Sequence, residues 1–385
     1  MHIQTLAVQA LRDHEHGAVV PPVHLASTFE LDPATSGGDF SYQRGGNPTR
    51  AQLETVLAAL EDGALEGREQ PSRGFAFATG MAATSAAFSL LHTGDEVILP
   101  TSVYGGTFRF VETGFERLGL GARWVRDLGE LTEADFGEST RMVFVETPTN
   151  PTLRVTDLRR IVELAHAHGA LVVVDNTFLT PLLQRPLDLG ADLVVQSATK
   201  YLAGHADLLA GVVTTRDPEI AEKIALSQKT YGGVLSPFDS YRLIQDIKTL
   251  PLRLAQQQAS AITIAEHLRG HEAVSRVLTP GSHDEREARI QADQADGPGA
   301  VLSFELVDGV DRVRFLRALR IPAYAVSLGG VESLICYPAT TTHDAMTPQA
   351  RVDADITEGM LRLSVGIEEV QDLVADLDQA LDAAR

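Results

Sequence analysis

From about residue 75 to residue 215 the chain alternates short β-branched apolar runs with segments whose apolar residues recur at helical spacing. The clearest runs are Leu171–Val174 and Leu193–Val195, and the clearest helical segment is Asp157–His168. This alternation is typical of a parallel sheet with crossover helices. We therefore predict an α/β fold with a mostly parallel central sheet.

The pattern differs on both sides of this region. The first sixty residues read as an extended, proline-containing arm followed by a helix over 50–60. After residue 250, helices over 253–269, 311–319 and 369–385 and strands over 300–306 and 360–365 indicate an α+β unit, and the polar segment 281–299 is predicted to be a surface excursion. We predict three parts: an arm and helix (1–60) that contribute to a neighbouring subunit, a large domain (61–250) and a smaller C-terminal α+β domain (251–385).

Composition narrows the class of protein. With 44% apolar and 22% charged residues, the 385-residue chain has the composition of a soluble globular protein, and no stretch is long and apolar enough to span a membrane. A net charge of −20 argues against nucleic acid or an anionic membrane as a partner. The single Cys336 excludes an intramolecular disulfide and fits a reducing cytoplasm, and Met1–Ala10 lacks signal-peptide features. His166 and His168, two apart on a helix, face different ways, so no metal site is predicted.

Lys200 is the first candidate for chemistry. Only four of the 32 basic residues are lysine, and Lys200 stands just past the apolar run Leu193–Val195. An amine can condense with an aldehyde and can lose its proton in a desolvated site, whereas a guanidinium does neither at ordinary pH. A lysine extending into solvent from a strand end is the ordinary alternative.

Asp175 supplies a second polar group in a matching position, directly after Leu171–Val174. If the two strands are parallel, Asp175 and Lys200 emerge at the same carboxyl edge, where open α/β sheets bind ligands. A carboxylate and an amine at that edge could hold the ring nitrogen and the aldehyde of pyridoxal 5'-phosphate. Taken alone, Asp175 could equally be an ordinary helix N-cap. Together with Lys200, its position favours a role in binding this cofactor.

A phosphate site and a flat-ring contact are also predicted. Gly80 and Met81 lie between a short strand and an alanine-rich helix, where free backbone N–H groups can bind a phosphate. Ser197 and Thr199 could add hydroxyl donors. Tyr104 follows the strand at 96–99 and could stack on the cofactor ring, although a simple packing role is open.

Taken together, these motifs resemble the pyridoxal-phosphate enzymes of cysteine and methionine metabolism, the transsulfuration family. The segment from Ser197 to Tyr201 with Gly204 and His205 is similar to the cofactor-lysine motif of that family, and Tyr42–Arg50 is similar to its subunit-crossing segment. The resemblance extends from Val20 to Glu368. It implies the aspartate-aminotransferase-like fold type I and a homotetramer made of two active dimers.

The resemblance also implies residue roles. Lys200 and Tyr104 would be catalytic, Lys200 by carrying the cofactor and moving protons. Asp175 would pair with the ring nitrogen. The other cofactor contacts would come from Gly80, Met81, Ser197 and Thr199, and from Tyr42 and Arg44 of a neighbouring chain. The substrate carboxylate would contact Arg362, Asn150 and the region of Ser327.

The reaction implied is cleavage of a carbon–sulfur bond in a substrate such as cystathionine, methionine or homocysteine; γ-replacement, as in a cystathionine γ-synthase or an O-acylhomoserine sulfhydrylase, is the alternative. In related enzymes that act on cystathionine, acidic residues commonly occupy the positions of Ser41 and Val326, where this chain has none. A buried ammonium without a carboxylate is costly, which favours a substrate with a neutral tail. Gly106 stands where methionine γ-lyases usually have cysteine, which weakens the methionine interpretation.

Two other classes of protein are the alternatives. A nicotinamide dehydrogenase would carry Gly-x-Gly-x-x-Gly after its first strand, and the stretch from Phe77 to Ala82 has only one glycine. A non-catalytic binding protein on the same fold would lack a covalently bound, coloured cofactor.

Overall fold

The computed structural model of the chain describes residues 1–9, 16–35, 38–65, 67–344 and 346–385. Two pieces of the predicted arm, 10–15 and 36–37, lie outside these ranges. Along the described residues the α-helices are α1 (Ile3–Gln9), α2 (Pro48–Asp62), α3 (Gly80–Phe88), α4 (Gly105–Leu118), α5 (Leu158–Ala167), α6 (Thr180–Leu183), α7 (Pro218–Tyr231), α8 (Pro237–Ile247), α9 (Leu250–Arg269), α10 (Glu285–Gln294), α11 (Arg312–Ala318), α12 (Pro348–Asp353) and α13 (Val370–Ala383).

The larger sheet is built from the region where the sequence alternates strand and helix patterns. Its strands are β1 (Arg73–Phe77), β2 (Glu96–Pro100), β3 (Gly121–Val125), β4 (Thr140–Glu146), β5 (Leu171–Asp175), β6 (Leu193–Gln196) and β7 (Gly211–Thr215), in the order β1-β7-β6-β5-β4-β2-β3. Neighbours from β6 to β3 are parallel. The predicted mostly parallel sheet is confirmed, with β7 the exception, since it runs antiparallel to both β1 and β6.

Helices cover this sheet because each buries a stripe of apolar side chains against the apolar strands. In α5, Leu158, Ile161, Val162 and Ala165 are buried against the sheet, and Asp157 caps the helix by accepting a hydrogen bond from the Arg160 N–H. The sheet strands are apolar on both faces, as in the central run of β5, where Val172, Val173 and Val174 are fully buried. The carboxyl ends of the strands are therefore where polar side chains become accessible.

The smaller sheet is formed by β8 (Val274–Leu278), β9 (Val301–Leu306), β10 (Ala323–Tyr324), β11 (Leu334–Cys336) and β12 (Met360–Ser364), in the order β10-β11-β12-β9-β8. All neighbouring pairs in this order are antiparallel except β10 with β11. The long helix α9 packs on β8 and β9, and α13 packs against α9 and α11. The predicted α+β character after residue 250 is thus observed, while the boundaries at residues 60 and 250 stay predictions.

The N-terminal region is less open than the sequence indicates. Leu6 and Ala7 of α1 are buried against α2 and α9 of the same chain. The following stretch is held by a short antiparallel bridge between Thr28 and Tyr42, yet the Tyr42 side chain remains 51% exposed. Ile3, Leu6 and Ala7 are spaced i, i+3 and i+4 and so share one helix face, which explains why α1 packs against its own chain.

The segment 281–299 lies largely at the surface, as its polarity predicts, and it contains α10. Glu287 on this helix is buried, accepts a hydrogen bond from the Val155 N–H and forms an ion pair with Arg154. The polar sequence therefore reflects solvent exposure, apart from the buried Glu287 and Gln291.

Within the described ranges, no helix combines the length and apolar character needed to cross a bilayer.

Candidate active site

The carboxyl ends of β4, β5 and β6 open into a cavity of about 450 Å³. Because β5 and β6 are parallel, Asp175 and Lys200 reach this cavity from the same edge of the sheet. All the predicted site residues except Tyr42 and Arg44 line it: Gly80, Met81, Tyr104, Asn150, Asp175, Ser197, Thr199, Lys200, Val326, Ser327 and Arg362.

One end of the cavity is suited to an anion. Thr79 caps α3 and accepts a hydrogen bond from the Ala82 N–H (3.0 Å), which leaves the first-turn N–H groups of Gly80 and Met81 for a ligand. A Cβ at Gly80 would lie only 2.8 Å from the Cβ of Ser197, so glycine is needed for this close approach. The Thr199 hydroxyl instead bonds to both backbone polar groups of Ala210 and fixes the loop before Lys200.

Asp175 presents a carboxylate to the middle of the cavity. Its Oδ1 accepts hydrogen bonds from the backbone N–H (2.9 Å) and the hydroxyl (2.5 Å) of Thr177. Burial raises the pKa of the Asp175 carboxyl above its usual value, and these two hydrogen bonds only partly offset that rise. A protonated ring nitrogen placed here would favour the ionised carboxylate.

Lys200 lines the same cavity. Its Nζ donates a 2.7 Å hydrogen bond to Oγ of Ser327, a residue held at φ 89°, in the left-handed region that favours glycine. Burial, with the positive charge of Arg362, lowers the pKa of the Lys200 amine to about 8. An amine with that pKa can alternate between its charged and neutral forms near neutral pH.

Arg362 completes a binding corner for a carboxylate. It lies in β12 with 2% exposure, and it donates to Asn150 Oδ1 (2.9 Å) and to the carbonyl oxygen of Ser327 (2.7 Å). Its Nε has no partner, and within the described ranges no carboxylate forms an ion pair with it; burial raises the pKa of the nearby Glu146 carboxyl, and the Arg362 charge acts against that rise. A buried guanidinium without a counter-ion is costly, so this geometry favours an anionic ligand.

Tyr104 stands at the N-terminus of α4 with its side chain 40% exposed. A Cβ at Gly106 would lie 2.4 Å from Cε1 of the Tyr104 ring and 3.0 Å from the Met81 sulfur. The ring can hold this position only because residue 106 has no side chain.

Sequence reasoning missed four polar side chains near the cavity. Glu146 ends β4 just as Asp175 ends β5, and the same strand-end argument could have found it. Arg109 and Asp344 line the cavity with exposed side chains, so the lack of acids at Ser41 and Val326 does not leave it without charge. His343 is fully buried beside them. Neither Asp344 nor His343 has a local signal in the sequence.

Tyr42 and Arg44 do not line the cavity of their own chain. The Arg44 guanidinium lies 5.4 Å from the centre of the Tyr42 ring, and both side chains are exposed. The turn that carries them is ordered by hydrogen bonds from the N–H groups of Gly45 and Gly46 to the Tyr42 carbonyl.

Comparison with known proteins establishes the family of this chain. The model of the Cys/Met metabolism PLP-dependent enzyme family matches residues 4–382, and the chain belongs to that family. It is 44% identical over 367 residues to the cystathionine beta-lyase of Bacillus subtilis (95% of this chain, 92% of that protein) and 43% identical over 383 residues to the L-methionine gamma-lyase of Pseudomonas deceptionensis (96% and 94%).

A solved structure gives the same result for the fold. The cystathionine gamma-synthase of Xanthomonas oryzae pv. oryzae, crystallised in complex with cystathionine, superposes with a TM-score of 0.94 at 42% identity, covering 100% of this chain and 98% of that one. The chain is therefore a pyridoxal-phosphate-dependent enzyme of the carbon–sulfur lyase and synthase type. The dehydrogenase and non-catalytic interpretations are set aside.

Proposed function

We propose that Lys200 carries pyridoxal 5'-phosphate and moves protons, that Asp175 pairs with the ring nitrogen, and that Tyr104 stacks on the ring. The phosphate binds to the first turn of α3, through Gly80 and Met81, with help from the hydroxyls of Ser197 and Thr199; the Thr199 hydroxyl would exchange its hydrogen bond to the Ala210 carbonyl oxygen for one to the phosphate. When bound, the cofactor supplies an aldehyde for the amine and an electron sink for the bond electrons released at the substrate α-carbon.

The observation that carries the proposal is the unpaired guanidinium of Arg362 beside Lys200. The Lys200 amine donates to the Ser327 hydroxyl, and one Arg362 nitrogen donates to the Ser327 carbonyl oxygen while the other donates to Asn150 Oδ1. An amino-acid substrate whose carboxylate binds Arg362 and Asn150 has its α-carbon next to the amine that removes the α-proton. This supports chemistry at the α-carbon of an amino acid.

The reaction we infer is elimination that cleaves a carbon–sulfur bond of cystathionine, methionine or a homocysteine-like substrate. Arg109 and Asp344 line the cavity and carry the opposite charges that would pair with the distal carboxylate and ammonium of cystathionine. This geometry supports cystathionine more than the sequence alone does, since the two positions considered there, Ser41 and Val326, are neutral. γ-Replacement with an acylated homoserine and a thiol remains the alternative, because it shares the early steps.

Product analysis tests the reaction. The enzyme is given cystathionine, methionine, homocysteine or O-acetylhomoserine, each with and without cysteine, and kcat/KM is measured for every substrate. Pyruvate from cystathionine indicates α,β-elimination and 2-oxobutanoate indicates α,γ-elimination, each with release of a thiol. Formation of cystathionine from O-acetylhomoserine and cysteine, without oxo-acid release, would overturn the lyase proposal.

The covalent role of Lys200 is tested separately. Lys200→Ala should fold and should lose turnover together with the borohydride-stable cofactor adduct, because no other amine is proposed to reach the cofactor aldehyde. Intact-mass measurement after borohydride treatment shows the adduct on the wild type. A cofactor adduct still present on Lys200→Ala would assign the link to another amine.

We further propose that the active site is shared between chains of a homotetramer built from two active dimers. Tyr42 and Arg44 are exposed on an ordered turn and lie away from their own cavity, which supports a role in the cavity of a neighbouring subunit. Arg44→Ala should weaken cofactor retention. Mixing it with Lys200→Ala subunits should restore activity in hybrid sites; no recovery after demonstrated subunit exchange would contradict the shared site.

The division into parts at residues 60 and 250 and a cytoplasmic location complete the proposal. The buried, unpaired thiol of Cys336 is compatible with a reducing compartment.

A further inference from the structure

Two buried ionisable side chains lie at the cavity wall: Glu146 is one of the residues that line it, and His343 stands between the lining residues Thr342 and Asp344. Glu146 is 4% exposed and His343 is fully buried. Glu146 ends β4, and His343 belongs to the loop between β11 and α12, nearly 200 residues later in the chain. Both contact the backbone of the same two segments, those that carry Tyr104 and Asn150.

Glu146 accepts one hydrogen bond from each segment. Its Oε2 accepts from the Tyr104 N–H (2.9 Å), and its Oε1 accepts from the Asn150 N–H (2.8 Å). Both carboxylate oxygens are thereby engaged with backbone N–H groups. A buried carboxylate can satisfy two separated N–H groups in this way because it has an acceptor on each side.

His343 contacts the carbonyl oxygens of the same segments. Its Nε2 lies 3.2 Å from the Val103 oxygen and 3.0 Å from the Asn150 oxygen. Carbonyl oxygens only accept, so Nε2 carries the proton and donates to both, and Nδ1 lies 2.8 Å from the Thr342 hydroxyl. Burial and the nearby Arg362 lower the pKa of His343 to about 4, which keeps the ring neutral in this arrangement at neutral pH.

The Val103 oxygen and the Tyr104 N–H belong to one peptide group, which is therefore held from opposite edges. Tyr104 needs this support because its side chain is exposed and makes no capping hydrogen bond to α4. The loop is also pressed closely on α4, since a Cβ at Gly105 would lie 2.0 Å from the Thr342 oxygen.

We propose that Glu146 and His343 are a pair of positioning residues, which lock the Val103–Tyr104 peptide and the Asn150 backbone so that the Tyr104 ring and the Asn150 amide hold their places in the site. The inference deepens the proposed function and relies on the roles given there to Tyr104 and Asn150. Asn150 in turn fixes Arg362 through its Oδ1, so a loss of either support should reach the carboxylate corner.

The test compares substitutions that keep or remove the relevant donor or acceptor. His343→Gln can keep an N–H donor near the position of Nε2, whereas His343→Leu removes it. Glu146→Gln keeps the shape of the side chain but turns one acceptor into a donor that faces an N–H group. The matched control is Glu61→Gln, because Glu61 is equally buried and accepts from the Leu187 N–H but lies outside the cavity.

The proteins are saturated with pyridoxal 5'-phosphate, and two signals are read: the visible circular dichroism of the bound cofactor, and the Kd for L-alanine, which has an α-carboxylate but no leaving group. We expect His343→Leu and Glu146→Gln to raise the Kd at least tenfold and to change the dichroism at full cofactor occupancy. His343→Gln should stay within threefold of the wild type and Glu61→Gln within twofold.

A purely structural role gives another result. If His343→Leu and Glu146→Gln lower only the melting temperature and leave the Kd and the dichroism within twofold of the wild type, the positioning role is wrong. It is also wrong if His343→Gln is as impaired as His343→Leu. Should His343→Leu fail to fold, His343→Asn replaces it, since its shorter amide cannot reach both carbonyl oxygens. Alanine binding needs no turnover, so failure of the lyase proposal would be seen separately, as missing oxo-acid release by the wild type.

Discussion

The buried amine of Lys200 should make the cofactor-free enzyme less stable than it would be without the charge. Its pKa falls from 10.5 to about 8, chiefly because burial disfavours the charged form. At about 1.4 kcal/mol per pH unit, keeping the amine protonated at pH 7 costs at most about 3.4 kcal/mol. Lys200→Met removes this cost but also the hydrogen bond to Ser327, about 1–1.5 kcal/mol. The net expectation is a gain of about 2 kcal/mol for cofactor-free Lys200→Met.

The sign depends on pH. Below pH 8 the amine is protonated in the folded and unfolded states, and the full cost is present. Between pH 8 and 10.5 the folded state releases the proton while the unfolded state keeps it, so the wild type gains stability as the pH rises. By pH 9.5 about 2 kcal/mol of the difference between the two proteins should be gone.

Thermal unfolding of the cofactor-free proteins at pH 7 and pH 9.5 measures this difference. At about 2.1 cal/mol/K per residue, a gain of about 2 kcal/mol raises the Tm of a chain this size by about 2–3 °C. Lys223→Met, a change at an exposed lysine of α7, is the control and should leave Tm unchanged at both pH values. The reasoning is refuted if Lys200→Met melts below the wild type at pH 7, or if its advantage is the same at pH 9.5.

Two further changes address the cavity wall. Gly106→Ala should displace the Tyr104 ring, because a Cβ at residue 106 would lie 2.4 Å from Cε1 of that ring. The visible circular dichroism of the bound cofactor should change and activity should fall. An unchanged dichroism would show that the ring is free to move aside. Arg362→Lys replaces the two donor nitrogens that bind Asn150 and Ser327 with a single nitrogen on a shorter side chain. Because two hydrogen bonds of a charged group are affected, we expect kcat/KM to fall by about 10²–10³, mainly through KM. A fall confined to kcat would argue against a carboxylate-binding role.

The parts of the site that lie at strand ends could be predicted from the sequence. Asp175 and Lys200 each follow a buried run in consecutive parallel strands, so the local pattern alone places them at one edge of the sheet. Gly80 and Met81 follow the same logic, because a strand that runs into a helix leaves free N–H groups at the turn. These predictions depend on contacts between neighbouring elements and need no knowledge of long-range packing.

Other features depend on long-range contacts that the sequence does not show. The segment 281–299 lies largely at the surface, as its polarity indicates, but its sequence does not show that Glu287 is buried with partners at Arg154 and Val155, more than a hundred residues away. The prediction of an extended N-terminal arm missed helix α1, whose buried Leu6 packs on α2 and α9. Polarity predicts exposure only where no buried partner is supplied by another part of the chain.

The sequence by itself determined the class of sheet, the edge at which chemistry occurs and the amine and carboxylate that meet there, because each follows from periodicity within about 25 residues. Only the tertiary structure decided how Arg362 of β12 and Ser327 of the loop before β11 come to lie beside Lys200. It also decided that Asp344 and Arg109 bring charge to the cavity. The support of Tyr104 and Asn150 by Glu146 and His343 was decided there as well. Such contacts join backbone groups and side chains up to 240 residues apart, and no local pattern encodes them, because they exist only once both sheets have packed together.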